Sequence, residues 1–220
     1  MFITFEGCEG AGKSTQASKI YQHLLRNKIP AIMTYEPGGT EIGEKIRSLL
    51  LDEELKEKFC EKTELLLYFA SRAQHIETAI IPALEKGKIV ICDRFNDTTL
   101  AYQGFGRGID INKILMMNEF ATKGLKPDLT ILIDIDVRKG IERSKKRNRA
   151  KLLKKELNRM EMESLEFHQR VRDGYLSLSK NEKDRFRIFS GETPLSELFE
   201  DVKNEIMKFI EKNRSCSIRE

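Results

Sequence analysis

Six residues in, directly after the apolar run Phe2 to Phe5, the chain reads EGCEGAGKSTQ, and from Gly7 to Ser14 this is the pattern G-x-x-x-x-G-K-S. A β-rich run feeds the pattern, and the apolar periodicity of Ala17, Ile20, Tyr21, Leu24 and Leu25 carries the chain out of it as a helix. That context makes it a P-loop. Glycines at 7, 10 and 12 let the backbone turn until successive N–H groups point at one anion, and the helix N-terminus adds the positive end of its dipole. Residues Gly7, Cys8, Glu9, Gly10, Ala11, Gly12, Lys13, Ser14 and Thr15 are therefore the expected triphosphate cradle. Lys13 is expected to reach the β- and γ-phosphates and the Ser14 hydroxyl to ligate Mg²⁺.

Four further strand-like runs follow at regular intervals, at 31–37, 88–95, 129–136 and 185–191, each separated from the next by helical patterns. Continuous apolar runs alternating with helices imply parallel strands covered on both faces. The expected architecture is α/β: a three-layer P-loop NTPase fold with a five-stranded parallel sheet flanked by helices, formed by residues 1–220 as a single domain. Ligands on such sheets sit at the carboxyl ends of the strands, where Glu6, Glu36, Asp93, Arg94, Asp134 and Asp136 fall. The segment 63–87 is apolar on nearly all sides and predicts a buried helix, kinked near Pro82. Its Arg72 and Gln74 are polar groups that point to a polar ligand.

No apolar stretch is long enough for a membrane span, and no basic segment leads into a long apolar one at the N-terminus, so a cytoplasmic location is expected. Cys8, Cys60, Cys92 and Cys216 show no C-x-x-C spacing, which fits reduced thiols better than disulfides or zinc. The net charge is only +4, yet Arg138 to Arg159 holds eleven Lys or Arg against two Glu. Such a segment suits a solvated face, a nucleic-acid arm or, beside a P-loop, a lid closing cations over transferring phosphates. A GTPase would need a D-x-x-G switch and an N-K-x-D guanine reader, and neither is present. Asp93 is followed by Arg94, and an arginine at a strand end facing the P-loop suggests a second anion, hence phosphoryl transfer between nucleotides. The competing readings are a kinase for another nucleoside monophosphate and a nucleic-acid-stimulated P-loop ATPase.

Several motifs in order, FEGCEGAGKSTQ, EPGGTEIGEKIR, LLLYFASRAQH, CDRFNDTTLAYQGFGRGID, PDLTILIDID, RMEMESLEFHQRVRDGY and SGETPLSEL, give the chain a resemblance to thymidylate kinases of the bacterial type over nearly its whole length. The resemblance implies transfer of the γ-phosphate of ATP to dTMP with Mg²⁺, a homodimer, and no nucleic-acid or membrane partner. It places Arg47 and Arg94 on the monophosphate, with Glu36 and Pro37 of the EPGGT motif beside them. It sets Tyr68 against thymine, where the family usually has phenylalanine, with Phe69 as the alternative stacker. Arg72 would donate to the base O4, Thr99 and Gln103 would read the N3 edge, and Tyr102 would lie under the sugar and disfavour a 2′-hydroxyl.

The same resemblance requires a mobile cation over the developing charge, from the P-loop or from the lid, a role in which arginine contributes on the order of 4–7 kcal/mol. The P-loop interior is Cys-Glu-Gly-Ala, without arginine, so the task falls to a lid insertion at about 140–160 and to Arg143, Arg147 or Arg149. Glu9 within the loop is expected near the acceptor, and Asp93 with Ser14 near the metal. Glu161 and Glu163 are further acidic candidates for metal or sugar contacts.

Overall fold

The computed structural model describes residues 1–52, 54–55, 57, 59–150 and 159–217, with the backbone alone for 148–150 and 214–217. Five strands, β1 (Phe2–Glu6), β2 (Ala31–Tyr35), β3 (Ile89–Asp93), β4 (Leu129–Asp134) and β5 (Phe186–Ser190), form one sheet in the order β2-β3-β1-β4-β5. Every neighbouring pair is parallel. Strands β1 and β4 are buried nearly throughout, as their mainly apolar composition requires of strands covered on both faces, with Thr4 and Thr130 satisfying each other by a hydroxyl–hydroxyl bond at 3.0 Å. Because β1 is central, the loop that leaves it opens between β3 and β4, where the chain switches direction along the sheet.

One layer packs helices α1 (Lys13–Arg26) and α9 (Leu195–Ser217) on the sheet through Ala17, Ile20, Leu24, Val202 and Ile206. The opposite layer holds α3 (Glu61–His75), α6 (Ile111–Thr122) and α8 (Leu165–Asn181) around Leu65, Phe69, Ile114, Val171 and Tyr175. Helix α2 (Glu41–Leu50), capped by the Thr40 hydroxyl accepting from Gly43 N–H, lies against α3. The bend expected near Pro82 takes the form of a π-helical segment, Ile76–Ile80, between α3 and α4 (Ile81–Glu85). Pro82 has no N–H to donate and its ring crowds the carbonyl of Thr78, so the preceding turn widens instead of breaking. A second π-helical segment, Leu100–Gly106, continues α5 (Asn96–Thr99) and packs on α8. The basic segment begins as helix α7 (Val137–Ala150) and returns through a turn at 159–162 into α8.

Candidate active site

Between β1 and α1 the chain needs backbone conformations that side chains resist. Gly12, which precedes α1, has φ 101°, and Gly10 has φ 70°. At Gly10 there is a second constraint. A Cβ there would sit inside the carbonyl group of Gly140 on α7, and one on Gly140 would collide with the Glu9 carbonyl. The loop backbone thus lies directly on the first turns of the basic helix. Lys13 is 5% exposed and donates to the Cys8 carbonyl at 2.8 Å, while Ser14 and Thr15 are exposed at the helix start.

This loop forms one wall of a cavity of about 460 Å³. The opposite wall comes from the ends of β2 and β3 and from helices α2 and α3: Pro37, Arg47, Tyr68, Asp93 and Arg94. Arg94 has φ 70°, unfavourable for a residue with a Cβ, and the strain is held by Arg94 N–H donating to Phe5 O and by Phe95 N–H donating to the Glu6 carboxylate at 2.7 Å. That conformation turns its guanidinium back across the sheet end, where it donates to Glu9 Oε1 at 2.5 Å and lies over the Tyr102 ring. Tyr102 Oη donates to the same carboxylate oxygen at 3.1 Å. Burial alone would raise the Glu9 carboxyl, but Arg94, then Lys13 and the Tyr102 hydroxyl, more than offset it and hold it at about 2. Glu9 is ionised at neutral pH. Arg47 donates to the Pro37 carbonyl at 2.7 Å and stands over the Tyr35 ring, and the Glu36–Pro37 peptide is cis.

Tyr68 lines the cavity, whereas Phe69 packs in the helical layer against Arg72. Arg72 is 1% exposed and lies behind the cavity wall, as do Thr99 and Gln103. Its guanidinium donates to Glu36 Oε2, Asn118 Oδ1, Phe95 O and Thr99 Oγ1, so four of its five N–H groups are engaged by the protein. The expectation that a ligand satisfies this arginine is corrected in that respect: a desolvated guanidinium has to be paired before any ligand arrives, and one N–H remains. Glu36 is held ionised in the same network. Burial would raise it, and Arg72 with the His75 ring lowers it below the ordinary range.

The three arginines expected on a lid separate. Arg147 lines the cavity and donates to the Ser144 hydroxyl at 2.9 Å and to Glu161 Oε1 at 3.1 Å. Arg143 instead donates to the Gly191 carbonyl at 2.6 Å, beside the loop that follows β5. The Arg149 side chain lies outside the described residues. Glu161 is on the cavity wall, and Glu163 pairs with Arg107 at 2.6 Å. Met33, Leu51, Thr98 and Met160 also line the cavity without any sequence signal of their own. Among the described residues no group of three or more His, Cys, Asp or Glu is placed to enclose a metal ion. Asp93 Oδ1, however, is buried without a hydrogen-bond partner, and its residue lines the cavity across from Ser14, while Mg²⁺ bound with phosphates asks for only one or two protein oxygens. No helix among the described residues is long and apolar enough to cross a membrane.

The family model for thymidylate kinase matches residues 5–205. A curated thymidylate kinase of Geotalea daltonii is 49% identical over 196 residues, covering 89% of this chain and 91% of that protein. That of Pelobacter propionicus is 47% identical over 207 residues, 94% of each chain. The crystal structure of thymidylate kinase from Ehrlichia chaffeensis superposes with a TM-score of 0.72 at 33% identity, covering 94% of this chain and 98% of that one.

Proposed function

The chain belongs to the thymidylate kinase family and transfers the γ-phosphate of ATP to dTMP, and on that footing we propose how its cavity is divided. The backbone N–H groups from Gly7 to Thr15, with Lys13, hold the triphosphate. Arg47 and Arg94 hold the monophosphate opposite, where planar guanidinium forks match a dianion. Tyr68 faces the thymine ring and Tyr102 lies under the sugar, with Glu36 and Pro37 shaping the floor. Arg72, Thr99 and Gln103 read the base edge from behind that wall. The observation that carries this reading is that Arg47 and Arg94 share one cavity with Gly10, Gly12 and Lys13.

Transfer needs no base from the protein, because the attacking oxygen belongs to an already ionised phosphate. That oxygen bonds to the γ-phosphorus as the bond to the β–γ bridging oxygen breaks and ADP departs. The residues position both ends and neutralise charge through a loose transition state. Ser14 and Asp93 would hold Mg²⁺, which when bound offsets phosphate charge. Arg147 is the lid cation best placed to follow the moving phosphoryl group, with Arg149 beside it in sequence, while Arg143 steadies the donor-base end through Gly191. Glu9, fixed on Arg94, orients that arginine for the acceptor.

The basic segment therefore serves as a lid and not as a nucleic-acid arm, and the enzyme acts in the cytoplasm without membrane or nucleic-acid partners. A homodimer is proposed on separate grounds: the paired helices α3 and α6 leave Leu66, Met116 and Phe120 at 57%, 73% and 89% exposure. A coupled assay with ATP and Mg²⁺ against dTMP, dUMP, dCMP, dGMP and UMP tests the substrate reading. The expected result is clear preference for dTMP, and ATP consumption stimulated by single-stranded DNA alone overturns it.

A further inference from the structure

Glu64 has no part in the site just described, yet it is 1% exposed and ionised in the middle of the helical layer. Burial would raise its carboxyl, and a hydrogen bond from Gln103 with the charges of Arg107 and Arg159 lowers it instead. Arg107 donates to both carboxylate oxygens, at 3.3 and 3.2 Å, and Arg159 Nη1 stands 2.7 Å from Oε2. Gln103 Nε2 donates to Oε1 at 2.8 Å. An ionised carboxylate only accepts hydrogen bonds, so it admits only the NH₂ end of the Gln103 amide. The other end, Gln103 Oε1, is left buried with no partner. A buried acceptor without a donor is costly, and a bound group that supplies the donor recovers that cost.

Tyr68 lines the cavity and follows Glu64 by one turn on the same face of α3, which sets the Glu64–Gln103 pair behind that part of the wall. We propose that Glu64 is the positioning residue for base selection: by holding Nε2 of Gln103 it keeps the amide from flipping and so leaves Oε1 to face the N3 position of the incoming pyrimidine. Thymine carries N–H there and completes the bond. Cytosine carries a lone pair there and meets another lone pair. The inference rests on Gln103 as reader of the N3 edge, and it adds the group that decides which way that reader faces.

Glu64→Gln removes the charge that fixes the amide, because a neutral amide accepts either end of Gln103. The expected result is a dTMP-to-dCMP ratio of kcat/KM that falls about tenfold or more, chiefly through a raised KM for dTMP, with kcat little changed. Gln103→Met, which has neither donor nor acceptor, should lose the ratio to the same degree, and the double variant should lose no more than Gln103→Met alone. Arg107→Gln leaves Glu64 ionised beside Arg159 and should keep the ratio. If Glu64→Gln fails to fold by thermal denaturation, Glu64→Asp, which keeps the charge but withdraws the oxygens from Gln103, takes its place with the same expectation. The proposal is overturned by an unchanged ratio in the Glu64 variant, or by an equal loss in Arg107→Gln. An unchanged ratio in Gln103→Met overturns it too, by showing that no acceptor is there to be positioned, and dTMP turnover by the parent enzyme stands apart from all of these outcomes.

Discussion

Arg94 shows how much structure one side chain requires. Its backbone sits at φ 70°, its guanidinium is fixed by Glu9, and the turn that follows is held by Glu6, which accepts from Phe95 N–H and from the Thr98 and Tyr175 hydroxyls. Arg94→Ala should lower kcat/KM for dTMP by about a hundredfold or more, with Arg94→Lys between it and the parent because an ammonium cannot fork, as read by steady-state kinetics. Glu6 has its own pH signature. Burial first, then the nearby Asp97, raises it from 4.5 to about 7. A carboxyl raised on folding contributes stability that is full below its unfolded value and is lost as pH rises toward its folded one. Between pH 4.5 and about 7 the parent should therefore lose stability relative to Glu6→Gln, measured as the difference between their urea midpoints across that window. Glu9 is lowered to about 2 and acts oppositely, its contribution being lost only as pH falls below 4.5 toward that value.

At the scale of elements, strands β1 to β4 were legible as mainly apolar runs and the edge strand β5 as a short β-rich run broken by Arg187, and the observed ends explain the small differences. The run at 88–95 yields a strand of Ile89–Asp93, since Arg94 leaves the extended region, and the run at 31–37 stops at Tyr35, ahead of the cis Glu36–Pro37 peptide. The P-loop was legible because glycine spacing encodes a backbone path. Partners of buried charges were not, because Glu64, Arg107 and Arg159 meet only through packing of α3, the second π-helical segment and the lid's return. One faint sign existed: Thr99, Gln103 and Arg107 recur every four residues along a segment otherwise rich in buried apolar groups. Helix α7 carries its own prediction. Arg147→Ala should lower kcat at least about tenfold with a modest change in KM, and single-turnover measurement should place the loss in phosphoryl transfer. Normal turnover in both Arg147→Ala and Arg149→Ala would remove the lid from the chemistry.

For the molecule as a whole, the sheet order brings the P-loop and Arg94 to one cavity and leaves α3 and α6 with exposed apolar side chains. Phe120→Glu combined with Met116→Glu tests the proposed dimer: light scattering should read two chains for the parent and one for the variant, while the fold persists by circular dichroism. The contact of Gly10 with Gly140 has a different reach. It is backbone against backbone, so no neighbouring side chain can shrink to make room for a substitution, and no second-site change of residue type compensates it. In a library carrying every substitution at every position, these two places, far apart in sequence, should behave as a pair of forbidden columns: tolerant of nothing, correlated with each other, and blind to the polarity, size or charge of whatever is tried.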